Sequence, residues 1–169
     1  IRPPQGKHFQ FYVDFVAGKL SIEEYFEKLR NAANSNASVS SLREAYSAGY
    51  LKHSKIDEKM INLAKKLKGK YTLVCITNTN LLHMTINKER GLFDVFDKVF
   101  SSTNSKRLKD FSWFKDILSE LNVKGKECIF VDDLKENIEE SSRAGINSIL
   151  FTNYESLVKD LSKHGIIIQ

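Results

Sequence analysis

Residues 68–169 alternate between short apolar segments and amphipathic helical segments, and this alternation restricts the fold more than any other feature of the sequence. Short strands separated by helices of about ten residues are typical of β-α-β units, which build a parallel sheet with helices on both faces. We therefore expect an α/β fold with a Rossmann-like, doubly wound core. The predicted strands are 71–76, 98–101, 128–131 and 148–151, and the predicted helices are 80–90, 112–121, 135–144 and 156–163.

The first 67 residues differ from the rest because they contain no convincing strand. A serine followed three residues later by an acidic residue is typical of a helix start, and it occurs three times, at Ser21 with Glu24, Ser41 with Glu44 and Ser54 with Asp57. These pairs predict three helices. The segment 9–16 fits both the alternation of a strand and the periodicity of a helix, and Gly18 is placed to end a helix.

Composition and charge restrict the class of protein. The chain has 169 residues, of which 41% are hydrophobic and 28% charged, as in ordinary globular proteins. No apolar run approaches the roughly 18 residues of a membrane span, and no signal peptide is visible. The net charge of +5 is spread along the chain rather than gathered in one stripe, which argues against a nucleic-acid partner. Cys75 and Cys128 lie in apolar segments, so we expect free thiols in a cytoplasmic protein. Because no apolar run is long enough for a membrane span, we also expect no membrane partner.

Polar residues follow the predicted strands at their carboxyl ends, where ligands bind in open α/β sheets. Thr77 and Asn78 follow the first strand, Lys109 lies beyond the second, and Asp132 and Asp133 follow the third. Hydrogen-bond donors and a cation suit the oxygens of a phosphoryl group. Adjacent carboxylates suit Mg²⁺. The set predicts a phosphoryl-transfer site with a magnesium ion.

Each of these residues also has a purely structural interpretation. Thr77 is placed to cap the helix that follows it, and Lys109 is placed to be a solvated surface lysine. Asp133 is placed to cap the helix predicted over 135–144, which leaves Asp132 exposed. The adjacent acids Asp132 and Asp133 favour the functional interpretation by themselves, because like charges at a strand end are unfavourable unless a cation lies nearby. The order and spacing of the whole set strengthen it.

Residues 67–151 resemble the haloacid dehalogenase superfamily in its phosphatase-like branch. The apolar strand that ends in Thr77 and Asn78 resembles the second motif of the family, and Lys109 falls where the third-motif lysine is expected. Asp132 and Asp133 after an apolar strand resemble the fourth motif. The resemblance extends to the segment 93–102 that follows the second-motif helix, and to Asn137, Ala144, Gly145 and 149–151 after the fourth motif.

The resemblance implies a hydrolase, most simply a phosphatase of small phosphorylated metabolites that works through an aspartyl-phosphate. By analogy Thr77 and Asn78 bind the phosphoryl group, while Lys109 steadies its oxygens and the nucleophile. Asp132 ligates Mg²⁺, and Asp133 supports the metal shell or pairs with Lys109. The resemblance also implies a small all-helical cap domain over residues 1–67 and a Rossmann-like core over residues 68–169.

Two departures from the family pattern concern the catalytic residues. The family often has proline after the third-motif lysine, whereas Asp110 follows Lys109 here and the segment is one residue short, so Lys106 is the alternative lysine. The family's first motif, Asp-x-Asp-x-Thr-like, is missing from residues 1–70. Asp14 is the nearest mimic, and its surroundings match the helical cap better.

We therefore expect the nucleophilic aspartate to lie outside the 169 residues, and the first residue, Ile1, rather than Met, fits numbering that starts after the translation start. In this family the first-motif strand is central in the sheet, and leaving it out exposes unpaired backbone groups on both sides, at a cost of about 1–3 kcal/mol each when buried. A separate N-terminal segment is one source of this strand. The alternative is that residues 9–16 fill the gap in a degenerate protein.

Three functions remain open from the sequence. The first is the phosphatase, the second is a degenerate relative that binds phosphate or a protein partner without catalysis, and the third is a haloacid dehalogenase.

A receiver domain is disfavoured because its acidic pair precedes its threonine and lysine, and a serine hydrolase is disfavoured because no Gly-x-Ser-x-Gly motif occurs. No feature indicates an oligomeric state. Zinc is disfavoured because no ligand spacing relates His8, His53, His83 and His164.

Overall fold

The computed structural model describes residues 9–168 and has the predicted α/β class, with helices alternating with parallel strands over its second half. A short 3₁₀ helix, Gly125–Glu127, precedes the third strand. In chain order the elements are α1 (Phe9–Val16), α2 (Ile22–Ala32), α3 (Val39–His53), α4 (Glu58–Leu67), β1 (Val74–Thr77), α5 (Leu81–Glu89), β2 (Lys98–Ser101), α6 (Ser102–Ser105), α7 (Phe111–Leu121), β3 (Ile129–Asp132), α8 (Lys135–Arg143), β4 (Asn147–Leu150) and α9 (Tyr154–Lys163).

The strands form two parallel pairs. β1 pairs with β2 in the register Val74 to Lys98 through Thr77 to Ser101. β3 pairs with β4 from Ile129 with Asn147 to Asp132 with Leu150. Within residues 9–168 each pair is a sheet of two strands. The segment 9–16 is the helix α1, so the hypothesis that it fills the place of a central strand is wrong.

Strand pairing explains why β1 begins later than predicted. The predicted strand starts at residue 71, but Tyr71 is exposed and the ladder with β2 begins at Val74. Just before it, Asp97 accepts a hydrogen bond from the Leu73 amide through its carboxylate, at 2.7 Å. The Asp97 amide donates to the Leu73 carbonyl at 2.8 Å. These two bonds join the chains where the ladder starts.

The chain divides into two compact units, each with its own core. The first unit comprises residues 9–57 and 72–108. Its core is aromatic: Phe15 and Phe26 are fully buried, and the ring of Phe15 stacks on that of Tyr25 with centroids 4.0 Å apart. These contacts bury one face of α1 against α2. They explain why the ambiguous segment 9–16 is helical, since a strand would place Tyr12 on the face opposite Phe11 and Phe15, whereas all three pack in this core.

The second unit comprises residues 58–71 and 109–168. Leu63 of α4 packs with Ile149, Leu157 and Leu161 in its core. The helix α4 thus shares a core with β4 and α9. The predicted functional division, a cap over residues 1–67 and a core over 68–169, stays a prediction, and its residues 1–8 lie outside the described part of the chain.

Helix starts were predicted with mixed success. The capping box of Ser21 and Glu24 is confirmed, with both reciprocal hydrogen bonds present. α3 begins earlier than predicted because the Ser38 hydroxyl accepts the amide of Ser41, which leaves Ser41 inside the first turn. The prediction that a helix starts at Ser54 is wrong. Ser54 ends α3, because its hydroxyl and carbonyl accept hydrogen bonds from Arg90 at 2.7 and 2.8 Å.

Two expectations from composition can be compared with the structure. Cys75 and Cys128 carry thiols rather than a disulfide, as predicted, and both are partly rather than fully buried. Among residues 9–168 no helix is both long and apolar enough to cross a membrane. The cytoplasmic location stays a prediction.

Candidate functional site

A buried ion pair lies at the carboxyl end of β3 in the second unit. Lys109 Nζ donates to Asp132 Oδ2 at 2.6 Å, and the side chains of Lys109 and Asp132 are only 8% and 7% exposed. Asp132 is the last residue of β3. The fold thus brings together a lysine and an aspartate that are 23 residues apart in sequence. The functional interpretation of these two residues requires such proximity.

Two further donors fix the second carboxylate oxygen of Asp132. Oδ1 accepts the backbone amide of Leu134 at 2.9 Å and the side-chain amide of Asn137 at 2.8 Å. Asn137 is itself buried. With Lys109 on Oδ2, both oxygens have partners, so the orientation of the carboxylate is set by α8 and by the segment before α7.

The segment that carries Lys109 is held by the start of α7. Asp110 is the N-cap of α7, and its carboxylate accepts the amide of Trp113 at 2.7 Å. The amide of Phe111 donates to Glu140 of α8 at 2.8 Å. The Lys109 ammonium also lies 5.5 Å from the centre of the Phe130 ring, within the range of a cation–π contact. Asp110 therefore has a structural task at the position where the family often has proline.

The other candidate residues around this pair have different surroundings. Lys106, the alternative lysine, is exposed and ends α6 in a left-handed conformation. Asp133 is exposed and makes no hydrogen bond or ion pair with another described residue. It does not cap α8, whose N-cap is Leu134 without a side-chain hydrogen bond. Of the two adjacent aspartates it is Asp132 that pairs with Lys109.

Thr77 and Asn78 lie in the first unit, at the carboxyl end of β1. Thr77 is the last residue of β1 and is partly buried, and Asn78 is the next residue along the chain. Thr77 is not the cap of α5, because Asn80 takes that position and its side chain accepts the amide of His83 at 2.9 Å. The interpretation of Thr77 as a helix cap is therefore wrong. That Thr77 acts together with Lys109 and Asp132 stays a prediction.

The sequence analysis did not identify a polar cluster at the start of α5, which Asn80 and His83 form with Tyr46 and Tyr50. The His83 ring stacks between Tyr46 and Tyr50, with centroid distances of 5.0 and 3.7 Å. The Asn80 side-chain amide donates to His83 Nδ1 at 3.1 Å, which leaves the proton of the neutral imidazole on Nε2. Nε2 is buried and has no hydrogen-bond partner among the described residues. Burial lowers the pKa of His83 to about 4.

The sequence contained one weak signal of this cluster. His83 follows the cap residue Asn80 by one helical turn, which places the two side chains together. The partners Tyr46 and Tyr50 are more than 30 residues away, as the hydrogen bond from Asn80 to the Tyr46 hydroxyl at 3.3 Å illustrates. Such a distant partner has no signature in a single sequence.

The donor chemistry at the end of β3 fits a magnesium ion. Asp132 and Asp133 supply hard carboxylate oxygens on adjacent residues, and Mg²⁺ is usually held by one or two carboxylates, with water and substrate phosphate completing its shell. Among residues 9–168 no cluster of three or more histidine, cysteine or acidic side chains could hold a metal by itself.

Comparisons with known proteins identify the family. The model of the haloacid dehalogenase-like hydrolase family matches residues 12–151. Flavin mononucleotide hydrolase 1, a chloroplastic protein of Arabidopsis thaliana, is 26% identical over 161 residues, which cover 95% of this chain and 64% of that protein. A sesquiterpene phosphatase of Aspergillus oryzae is 24% identical over 143 residues, covering 82% of this chain and 71% of that protein. The chain thus spans about two thirds of the length of these relatives.

Solved structures show the same fold. A HAD family enzyme from Bacteroides thetaiotaomicron, crystallised with magnesium and inorganic phosphate, superposes with a TM-score of 0.77 at 20% identity, covering 87% of this chain and 78% of that chain. A predicted HAD-like hydrolase from Porphyromonas gingivalis gives a TM-score of 0.77 at 21% identity, covering 91% of this chain and 78% of that chain. The family match covers most of the chain, and the fold agrees with it, so this chain belongs to the haloacid dehalogenase-like hydrolase family.

Proposed function

We propose that the protein is a Mg²⁺-dependent phosphatase that hydrolyses small phosphate monoesters through an aspartyl-phosphate. The observation that carries this proposal is the buried pair of Lys109 and Asp132 at the end of β3, in a chain of the haloacid dehalogenase-like hydrolase family. A buried charge pair costs desolvation energy, so its position at a strand end, where α/β proteins bind ligands, favours a functional reason for it.

Each residue of the proposed site has a role that suits its chemistry. Thr77 and Asn78 donate hydrogen bonds to the oxygens of the phosphoryl group. Lys109 offsets negative charge as the phosphoryl group is transferred. Asp132 and Asp133 hold Mg²⁺, which when bound neutralises phosphate charge and orients the group for in-line attack. The hydrogen bonds of Asp132 to Leu134 and Asn137 keep its carboxylate oriented for this task.

We propose that the nucleophilic aspartate comes from a segment other than these 169 residues. Asp14, the nearest mimic, lies inside α1 and interacts with Gln10 and Lys19 rather than following a strand. Among the described residues the strands form the pairs β1 with β2 and β3 with β4, and none of these four strands carries an Asp-x-Asp motif. A further strand that carries this motif would supply the nucleophile.

The names of the two relatives suggest the substrate class. One is named for flavin mononucleotide and the other for sesquiterpene phosphates. We therefore propose an organic phosphate monoester as substrate. The test is phosphate release by the full-length protein from an aryl phosphate and from a panel that includes flavin mononucleotide, with Mg²⁺ and with excess chelator. Release that needs Mg²⁺ supports the proposal, and no release from any monoester contradicts it.

A second candidate is a protein that binds phosphate or a protein partner without hydrolysis. The specific observation that favours it is the absence of an Asp-x-Asp motif from residues 1–70. Calorimetry of the full-length protein with inorganic phosphate separates the two candidates. Phosphate binding without any turnover supports the binding protein, whereas turnover with a trapped aspartyl-phosphate supports the phosphatase. The dehalogenase stays a weaker alternative, tested by chloride release from a 2-haloacid.

A further inference from the structure

Ser102 joins three segments of the first unit through one hydroxyl group. It is fully buried at the start of α6. Its Oγ lies 2.6 Å from the carbonyl oxygen of Val16, 3.0 Å from the carbonyl oxygen of Thr79 and 2.9 Å from the amide nitrogen of Thr79. Val16 ends α1, and Thr79 lies in the loop between β1 and α5. This loop begins directly after Thr77.

The chemistry of a hydroxyl group sets the direction of these bonds. A serine has one proton to donate and can accept through its lone pairs. The shorter distance assigns the proton to the Val16 carbonyl, and Oγ then accepts the amide proton of Thr79. The result is a chain of two hydrogen bonds that runs from the Thr79 amide through Ser102 to the last turn of α1, where helix carbonyls lack partners within the helix.

The close packing of Gly18 shows that this junction is tight. Gly18 has a φ of +68°, and a Cβ atom placed there would come within 2.4 Å of the carbonyl oxygen of Thr103. The chain that leaves α1 therefore passes against the backbone next to Ser102. The Ser102 hydroxyl group therefore lies where these two segments meet at close range, and a shift of either one would disturb its hydrogen bonds.

We propose that Ser102 is a positioning residue that holds the loop of residues 78–80 in place and couples it to the end of α1. The inference rests on the proposed function, in which Thr77 and Asn78 bind the phosphoryl group. In this role Ser102 touches neither the substrate nor these two side chains. It acts through the backbone of Thr79, whose amide and carbonyl both lie within hydrogen-bond distance of its hydroxyl.

The test compares Ser102→Ala with Ser141→Ala in the full-length protein. Ser141 is the matched control because it is also a fully buried serine, and its hydroxyl bonds to the Ile138 carbonyl and to Ser148, all in the second unit. The first readout is amide hydrogen exchange of peptides that span residues 74–83. The second is the inhibition constant of inorganic phosphate against aryl phosphate hydrolysis.

We expect Ser102→Ala to accelerate exchange at residues 78–80 by roughly threefold to tenfold, the size expected for one neutral hydrogen bond. The phosphate inhibition constant should rise by a similar factor. Ser141→Ala should change neither quantity, although it lowers stability. Ser102→Cys, which keeps a weak donor, should fall between the wild type and Ser102→Ala, and it serves as the test variant if the alanine variant does not fold.

Equal exchange at residues 78–80 in Ser102→Ala and Ser141→Ala would overturn the inference. Faster exchange with an unchanged phosphate inhibition constant would overturn the role of Ser102 in positioning the loop for phosphate binding, because Ser102 would then be structural only. If the wild type hydrolyses no phosphate monoester, the proposed function fails. The exchange comparison then decides by itself whether Ser102 holds the loop.

Discussion

Lys109 and Asp132 form an ion pair with an Nζ to Oδ2 distance of 2.6 Å, and both side chains are more than nine-tenths buried. Burying such a pair costs desolvation energy. Removing one of its partners is strongly destabilising, because the other charge then loses the partner that offset this cost. The exposed neighbour Asp133 lacks any such partner among the described residues. The two adjacent aspartates should therefore respond very differently to substitution.

We expect Asp132→Ala to lower the free energy of unfolding by about 3 kcal/mol or more, since it removes the carboxylate that pairs with the buried ammonium of Lys109 and accepts from Asn137. Asp133→Ala should change stability by no more than about 0.5 kcal/mol, as is usual for exposed positions. Urea unfolding followed by circular dichroism measures both. If the free energy of unfolding fell equally in the two variants, the ion pair would make no specific contribution to stability.

The buried histidine His83 should make stability depend on pH. Burial lowers its pKa from 6.5 to about 4. As the pH falls through 6.5 the unfolded chain takes up a proton, whereas the folded protein does so only near pH 4. The contribution of His83 to stability is therefore complete above pH 6.5 and is lost progressively as the pH falls from 6.5 towards 4.

His83→Gln should flatten the pH dependence of the unfolding temperature in that window, because glutamine does not titrate there. The matched control is His164→Gln, since His164 is exposed and ends α9. Thermal unfolding between pH 4 and pH 7.5 checks the expectation. The assignment would be contradicted if the unfolding temperature of His83→Gln depended on pH as steeply as that of the wild type. It would also be contradicted if His164→Gln flattened this dependence to the same extent.

Asp110 should stabilise the start of α7 and with it the segment that carries Lys109. Its carboxylate accepts the Trp113 amide at 2.7 Å and the Ser112 hydroxyl at 2.8 Å. Asp110→Ala should cost about 1 kcal/mol in the free energy of unfolding, and Asp110→Asn should restore most of it, because asparagine is an equally good N-cap. Denaturant unfolding of the three proteins measures this. The cap would have no role if asparagine and alanine behaved alike.

Local signals in the sequence predicted much of the fold. The strand over 98–101 was predicted with its observed bounds, and the capping box at Ser21 was predicted from its spacing. Errors arose where distant partners decide the conformation. Ser54 has the spacing of a helix start, but Arg90, 36 residues later, holds it at a helix end. The segment 9–16 is ambiguous by itself and is fixed as a helix by its packing on Tyr25.

The candidate site was predictable to the extent that it follows strands. Thr77 and Asp132 end strands, and the residue type of each suggested its chemistry. The possibility that Asp133 pairs with Lys109 was wrong, because Lys109 pairs with Asp132, and spacing alone cannot separate two adjacent residues. Ser102 had no signal, since the carbonyl that it bonds belongs to a residue 86 positions away.

The most direct test of the central claim is the kcat/KM of full-length Asp132→Asn for an aryl phosphate in the presence of Mg²⁺. The substitution keeps the shape of the side chain but removes the charge that faces Lys109 and that we propose binds Mg²⁺. A matched control is Asp160→Asn, which changes a partly exposed aspartate on α9 that pairs with Lys163. We predict a loss of roughly 100-fold or more in Asp132→Asn and wild-type values in Asp160→Asn. Undiminished turnover in Asp132→Asn would contradict the assignment of the site.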